Sequence, residues 1–451
     1  MNKIIGRLNY SLLSFLKHRI NGGVLLMIVA VLAMIVANSP WSEQYLALWD
    51  YPVILQIGEF NLFSVKGEPL TLMEFINNAL MVLFFFSVGL EIKRELLVGE
   101  LSSFRKSLLP IIAALGGMIV PVVIYFLFTK GTPGEAGLAI PMATDIAFSL
   151  GVLSLFGKRV PISIKIFLTA FAIVDDIGGI LVIALFYTSD LVPQFLGLAL
   201  AVLFVLFLGN KRGVKSKFFY CTLGVVVWYF FLQSGVNATI AGVLVAFMVP
   251  ATPSLRIGRY IKRIKDNIGQ FSTENGEYRI FNPNEISLLK SIESASDKVI
   301  SPLQALEDKM HGVVNYLVVP LFAFANAGIV LSAGTESSLI GPVTYGVAVA
   351  LFLGKFIGIF TFTYFAIKAK LVSMPEGMTW SSIAGTALLG GIGFTVSLFI
   401  AHLSFIDSPE LLNQAKLGVL TGTIVSGILG YIVLSFALPK KAFIARQLSG
   451  R

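Results

Sequence analysis

The sequence predicts an all-α integral membrane protein of about twelve transmembrane helices, on three observations of composition, run length and charge placement. Of its 451 residues 56% are hydrophobic and 13% charged, with a mean hydropathy of +0.84; soluble domains carry about 25% charged residues. The apolar residues form long runs, among them 24–37, 111–128, 177–187 and 417–438. Barrel strands alternate apolar and polar positions over about ten residues, so these unbroken runs point to helices.

In chain order, hydropathy places helices near 22–38, 72–91, 107–128, 138–156, 162–187, 191–209, 216–233 and 237–250. Four more lie near 313–331, 342–367, 380–402 and 415–438. The chain therefore divides into residues 1–250 with eight spans, a polar 251–311 insert expected to be a partly helical cytoplasmic extension, and 312–451 with four spans. The basic start (Lys3, Arg7, Lys17, Arg19) before an apolar run resembles a signal peptide. Because further spans follow, it is read as the approach to a first helix that is kept.

The net charge of +9 does not indicate nucleic acid, because the basic residues are scattered over loops instead of lining one face. Topology explains them: 30 of the 34 Lys and Arg fall in the N-terminus, in loops 92–106, 157–165 and 210–217, in the insert, at 368–370 and after 439. The alternating loops hold only Lys66, Lys130 and, at a helix edge, Lys416, beside acids such as Glu43, Asp50, Glu59, Glu68, Asp190, Asp407 and Glu410. Basic loops stay cytoplasmic, so both termini are expected inside and the number of spans even. The lone Cys221, in an apolar run, excludes an internal disulfide and a cysteine metal site and is assigned to packing. No cofactor and no enzymatic chemistry are expected.

Four ionisable residues remain inside the spans: Asp145, the adjacent Asp175 and Asp176, and Lys355. Each costs at least about 2.5–3.5 kcal/mol at a helix centre, so such residues face a cavity or a partner and mark an ion path. Three acids against one base leave charge that a cation or protons must balance. The two aspartates point about 100° apart around their helix, so one can face water while the other faces a neighbouring helix. Gly354 and Gly358 flank Lys355 in a spacing that permits close helix approach, making a pair with Asp175 or Asp176 sterically accessible. Pro141 removes a backbone donor four residues before Asp145, and Gly390-Gly391-Ile392-Gly393 weakens the eleventh span. Interrupted helices in corresponding positions of two halves indicate an inverted-repeat transporter with a midplane site.

These residues also carry a family resemblance. The stretches Leu168 to Gly179, Ala143 to Phe148, Val88 to Leu96, Leu321 to Gly328 and Gly390 to Thr395 are similar to signatures of the NhaA sodium/proton antiporters, and the likeness spans nearly the whole chain outside the insert. The resemblance implies a twelve-span fold whose fourth and eleventh spans unwind and cross. It implies Asp176 as the main cation ligand, Asp175 as its partner in cation and proton binding, and thus both as transient Na+ ligands. Thr144 and Asp145 would lie at the crossing. Asp145 and Lys355 would compensate the charged ends of the half-helices. Glu91, Arg94 and Glu95, with Glu307 and His311, resemble a cytoplasmic cluster that shapes the pH response. Asn78 and Asn237 depart from residues that some family members carry, an Asp and a His, which leaves the pH set point open.

The expected function is electrogenic, pH-regulated export of Na+ and Li+ against H+ across a bacterial inner membrane, by alternating access. A monovalent cation that sheds water needs oxygen ligands, and protons compete for the same carboxylates. Burial and mutual repulsion oppose two adjacent ionised carboxylates, so one holds a proton until a cation arrives. The partners are Na+, Li+, H+ and the lipid bilayer, with a homodimer the oligomer considered and nucleic acid excluded. A cation channel would use similar acids but has no need of broken crossing helices. A sodium-coupled symporter needs a cavity for an organic solute. An intramembrane aspartyl protease needs aspartates on facing helices, whereas these are adjacent.

Overall fold

A computed structural model describes residues 22–439 apart from 59, 66, 189–190, 254–256, 269–281 and 331–338. The basic start, Lys440, Lys441, Arg446, Arg451, Glu59, Lys66 and Asp190 lie outside the described residues. The first helix, α1 (Gly22–Ala37), turns by 114° into α2 (Ser42–Trp49). Two short antiparallel hairpins follow, β1 (Gln56–Ile57) with β2 (Phe60–Asn61) and β3 (Ser64–Val65) with β4 (Glu68–Pro69). Thr71 then starts α3 (Leu72–Val98) with a reciprocal cap, its hydroxyl accepting from Glu74 N–H while the Glu74 carboxylate accepts from Thr71 N–H.

Next come α4 (Phe104–Thr129), the short 3-10 turns Pro133–Gly137 and Ile140–Met142, α5 (Ile146–Ser154), α6 (Ile162–Phe186), α7 (Pro193–Lys211), α8 (Lys217–Ser234) and α9 (Thr239–Met248). The polar insert folds into α10 (Ile257–Ile268), α11 (Pro283–Val299) and α12 (Pro302–Val313). The chain continues through α13 (Val319–Asn326), α14 (Pro342–Lys368), α15 (Trp380–Leu389), α16 (Phe394–Ser404) and α17 (Pro409–Ala437). Among the described residues six helices are long and apolar enough to cross a membrane, or nine if each bent pair counts as one span.

Bends and wide turns punctuate the apolar runs. The Pro133–Met142 segment meets α5 at 46°, and α15 meets α16 at 42°, so both expected interruptions are present. Three π-helical turns were not expected from sequence: Ile76–Leu80 inside α3, Val314–Val318 between α12 and α13, and Ala350–Gly354 inside α14. Each adds a residue to the turn and so rotates the helix beyond it, a device concentrated at functional sites.

The basic loops gather at one end of the bundle. Lys93 Nζ donates to the carbonyls of Phe247 and Val249, and Lys215 Nζ to that of Pro253. Arg159 donates to the carbonyls of Ser435, Leu438 and Pro439. At the opposite end Gln233 bonds Ser64 O and Tyr187 bonds Ala136 O, tying together loops poor in Lys and Arg. Two readings need correction. Cys221 is exposed on α8, because its position faces away from the packed side of that helix. Lys416 is not a loop-edge charge but a buried side chain within α17, which starts earlier than hydropathy suggests because Pro409 suits a first helical turn.

Candidate functional site

Backbone chemistry puts the acids where they are. Pro141 cannot donate and the chain leaves helical geometry at Ala143, ψ 149°. Thr144 and Asp145 occupy the break, and Asp145 begins α5 as its N-cap, Oδ1 accepting from Phe148 N–H at 2.9 Å. Its other oxygen accepts from Thr395 N–H at 3.1 Å and from the Thr395 hydroxyl at 2.6 Å, in the first turn of α16. One buried carboxylate thus serves the N-terminal ends of two half-helices, where the macrodipole favours negative charge. The two breaks are bound to each other: Asp145 N–H donates to Ile392 O at 2.6 Å, Ser149 Oγ to Leu389 O at 2.9 Å and Ser397 Oγ to Ile140 O at 2.8 Å.

Lys355 enters from α14 directly after its π turn. With no solvent exposure, its Nζ donates to Asp175 Oδ2 at 2.6 Å, to the Thr144 hydroxyl at 3.0 Å and to the Met142 carbonyl. Met142 closes the 3-10 turn before the break, so the ammonium sits at the negative end of that half-helix. Thr144 Oγ1 lies 2.8 Å from Asp175 Oδ2 and 2.9 Å from Gly390 O. A hydroxyl has one proton, so Thr144 donates to one of these oxygens at a time while accepting from Lys355.

The aspartate neighbours differ as their positions around α6 require. Asp175 is engaged through Oδ2, and its buried Oδ1 has no partner. Asp176, 6% exposed, makes no hydrogen bond or ion pair among the described residues. The structure therefore selects Asp175 as the partner of Lys355, which the sequence left open. The close approach at Gly354 and Gly358 is made to α4, not α6: a Cβ on Gly354 would lie 2.8 Å from Pro121 Cα, and one on Gly358 would overlap the Gly116 backbone. Gly178 packs on Met118 of α4, whereas Gly179 faces open space.

The expected cluster at the basic end is only partly assembled. Arg94 contacts Glu307 at 2.8 Å and Glu95 at 3.0 Å, and the Glu95 carboxylate accepts from Glu100 N–H at 2.9 Å. Burial holds the Glu307 carboxyl above its ordinary range, against the pull of Arg94. His311 instead meets Asn315 at 3.0 Å, and Glu91 makes no hydrogen bond to the group. Asn78 and Asn237 line a cavity of about 1000 Å³ at the opposite end, with Glu74, Glu135 and Tyr187. It reaches Met142 but neither Asp175 nor Asp176.

Sequence reasoning passed over Thr395 as a ligand of Asp145 although it closes the Gly390 to Thr395 motif, and it had no signal for the carbonyls of Met142 and Gly390. Residues 13–434 match the family described as Na+/H+ antiporter 1. The chain belongs to the NhaA family of sodium/proton antiporters. A family relative from Phocaeicola vulgatus, an Na(+)/H(+) antiporter NhaA, is 60% identical over 434 residues, 96% of this chain and 97% of its own. One from Bacteroides fragilis is 57% identical over 96% of this chain and 99% of its own, and one from Helicobacter pylori 43% identical over 99% and 100%.

Proposed function

We propose that the protein is a secondary carrier that exports Na+ in exchange for H+, with the crossing of its two broken segments as the exchange site. The observation that carries this reading is the asymmetry at Asp175 and Asp176: one carboxylate is held by Lys355, and its neighbour makes no hydrogen bond or ion pair among the described residues. A dehydrated Na+ takes oxygen ligands. Asp176, the free Oδ1 of Asp175 and the Thr144 hydroxyl supply them, with Asp176 the main ligand. Cation binding beside Asp175 weakens its hold on Lys355, and the ammonium proton and a carboxyl proton become the ions exchanged. Either load lowers the charge of the site and lets the carrier switch sides.

The chain is read as twelve inverted-repeat spans in a bacterial inner membrane, with both termini and the basic end cytoplasmic. The family resemblance extends the substrates to Li+ and makes the Arg94 cluster a regulator of the pH response. In this topology the 251–311 insert is cytoplasmic and is not required for exchange. A cysteine at position 275, outside the described residues, is then labelled by an impermeant reagent only from the inside.

The deciding experiment is a sodium pulse to proteoliposomes carrying a pH-sensitive dye. Wild-type protein releases protons on the pulse, and Asp176→Asn inserts but does not. Wild-type exchange by Asp176→Asn removes the site assignment, and a requirement for an organic solute favours a symporter.

A further inference from the structure

Outside the spans, α10 has an unusual surface. Its sequence, Ile257 to Ile268, carries four Lys and Arg against one Asp, yet four isoleucines recur at helical spacing. At 100° per residue Ile257, Ile261 and Ile268 fall within an arc of about 40°. All three are exposed, at 68%, 48% and 58%. Tyr260, Ile264 and Asn267 are part-buried, on the flank where α10 packs against α11. Arg259, Lys262 and Lys265 are exposed on the remaining surface. Water gives no reason to display three isoleucines on so polar a helix.

We propose that this face of α10 lies in the headgroup region of the membrane and binds anionic phospholipid. Three observations select that occupant. The helix starts nine residues after α9 ends at Met248, so even an extended chain keeps it within about 30 Å of the end of that span. Apolar side chains on one face with Lys and Arg around them are the composition of helices that lie in the interface. The charge is complementary to acidic headgroups, and Lys265 and Lys262 lie along the open side of the isoleucine arc, about 40° and 100° beyond Ile261. The helix packs on α11, which leads along the chain into α12, the helix that carries Glu307, the partner of Arg94. The proposal rests on the cytoplasmic assignment of the insert only for which leaflet is met.

The test uses the full chain in vesicles of uniform lipid composition in both leaflets, with iodide present on both sides of the membrane, which makes orientation irrelevant. Cys221, being exposed, is replaced by Ser, and Ile268→Cys carries an environment-sensitive fluorophore. In vesicles containing phosphatidylglycerol the label is expected to be quenched by spin-labelled lipid and shielded from iodide. In phosphatidylcholine, or in about 0.5 M salt, the pattern reverses. Each basic residue contributes about five-fold, so Lys262→Gln with Lys265→Gln shifts the balance about 25-fold towards the iodide-accessible state. Iodide quenching in every lipid overturns the proposal. Shielding from both quenchers does so in favour of a protein contact, and lipid quenching indifferent to headgroup charge overturns the anionic component. The comparison between lipids decides even if the double variant fails to fold, and exchange in the same vesicles reports folding.

Discussion

Lys355 Nζ lies 2.6 Å from Asp175 Oδ2 with neither side chain reaching solvent, whereas Asp176, the next residue, has no such partner. Two chemically identical side chains in sequence are thus given different work by a rotation of about 100° around one helix. The buried pair is sensitive to one-sided change: removing one member strands the other, at a cost of about 3–5 kcal/mol, while replacing both is far milder.

Lys355→Met is therefore expected to lower thermal stability in detergent strongly, and Asp175→Asn together with Lys355→Met to recover much of the loss. The double-mutant cycle read by thermal unfolding checks this. Additive losses would mean that the two charges do not stabilise each other.

Asp176→Asn should leave the unfolding temperature near that of the wild type, since no bond is lost, while abolishing sodium-dependent proton release. Asp175→Asn should be nearly as severe for exchange and should also change stability. A common stability loss in both variants contradicts the division of labour between them.

The long apolar runs and the isolated charges made the helical membrane class and the acid site visible, because burying charge in lipid is too costly to leave unmarked. Pro141 announced the first interruption for the same kind of reason, a missing donor. The pairing of Lys355 was not legible: it depends on the π turn Ala350–Gly354 and on which helix receives Gly354 and Gly358. The residues Ala-Leu-Phe-Leu-Gly carry no local code for a wide turn. The 114° bend after α1 was missed because its apolar run simply ends there. His311 stands one turn from Glu307 in sequence, yet its bond to Asn315 takes it elsewhere.

Thr395→Val removes the hydroxyl from Asp145 but keeps the backbone donor. Losing one hydrogen bond to a buried carboxylate costs about 1.5–3 kcal/mol. Thermal unfolding should register that loss, with slower exchange because the crossing loosens. Thr395→Ser restores the hydroxyl and should recover most of both. Equal effects of Val and Ser would assign the role to packing.

Glu307 supplies a pH dependence of known sign. A carboxyl raised on folding contributes stability that is fully present below its unfolded value and is lost as pH climbs through the folded one. Glu307→Gln should flatten the fall in stability as pH rises above the ordinary carboxylate range and, through the lost Arg94 contact, alter the pH profile of exchange. Scanning fluorimetry across that rise in pH reads the first effect; a curve that keeps the wild-type slope would place the titration elsewhere.

Exchange is expected to be electrogenic, with more than one proton entering for each sodium that leaves. The motivation is a count at the site: the carboxyl of Asp176 and the Lys355 ammonium can each release a proton when one cation displaces the pairing at Asp175. One net charge per cycle couples transport to the membrane potential, worth about 2.3 kcal/mol per 100 mV, or a sodium gradient roughly fifty-fold larger at that potential. The carrier then extrudes sodium even where the pH gradient is small, as in alkaline surroundings. The check is a sodium concentration jump at symmetrical pH on a solid-supported membrane, where a transient current is expected and Lys355→Met should diminish it beyond its effect on protein amount. Exchange that proceeds without current, and ignores an imposed potassium diffusion potential, would leave Lys355 a purely structural partner of Asp175.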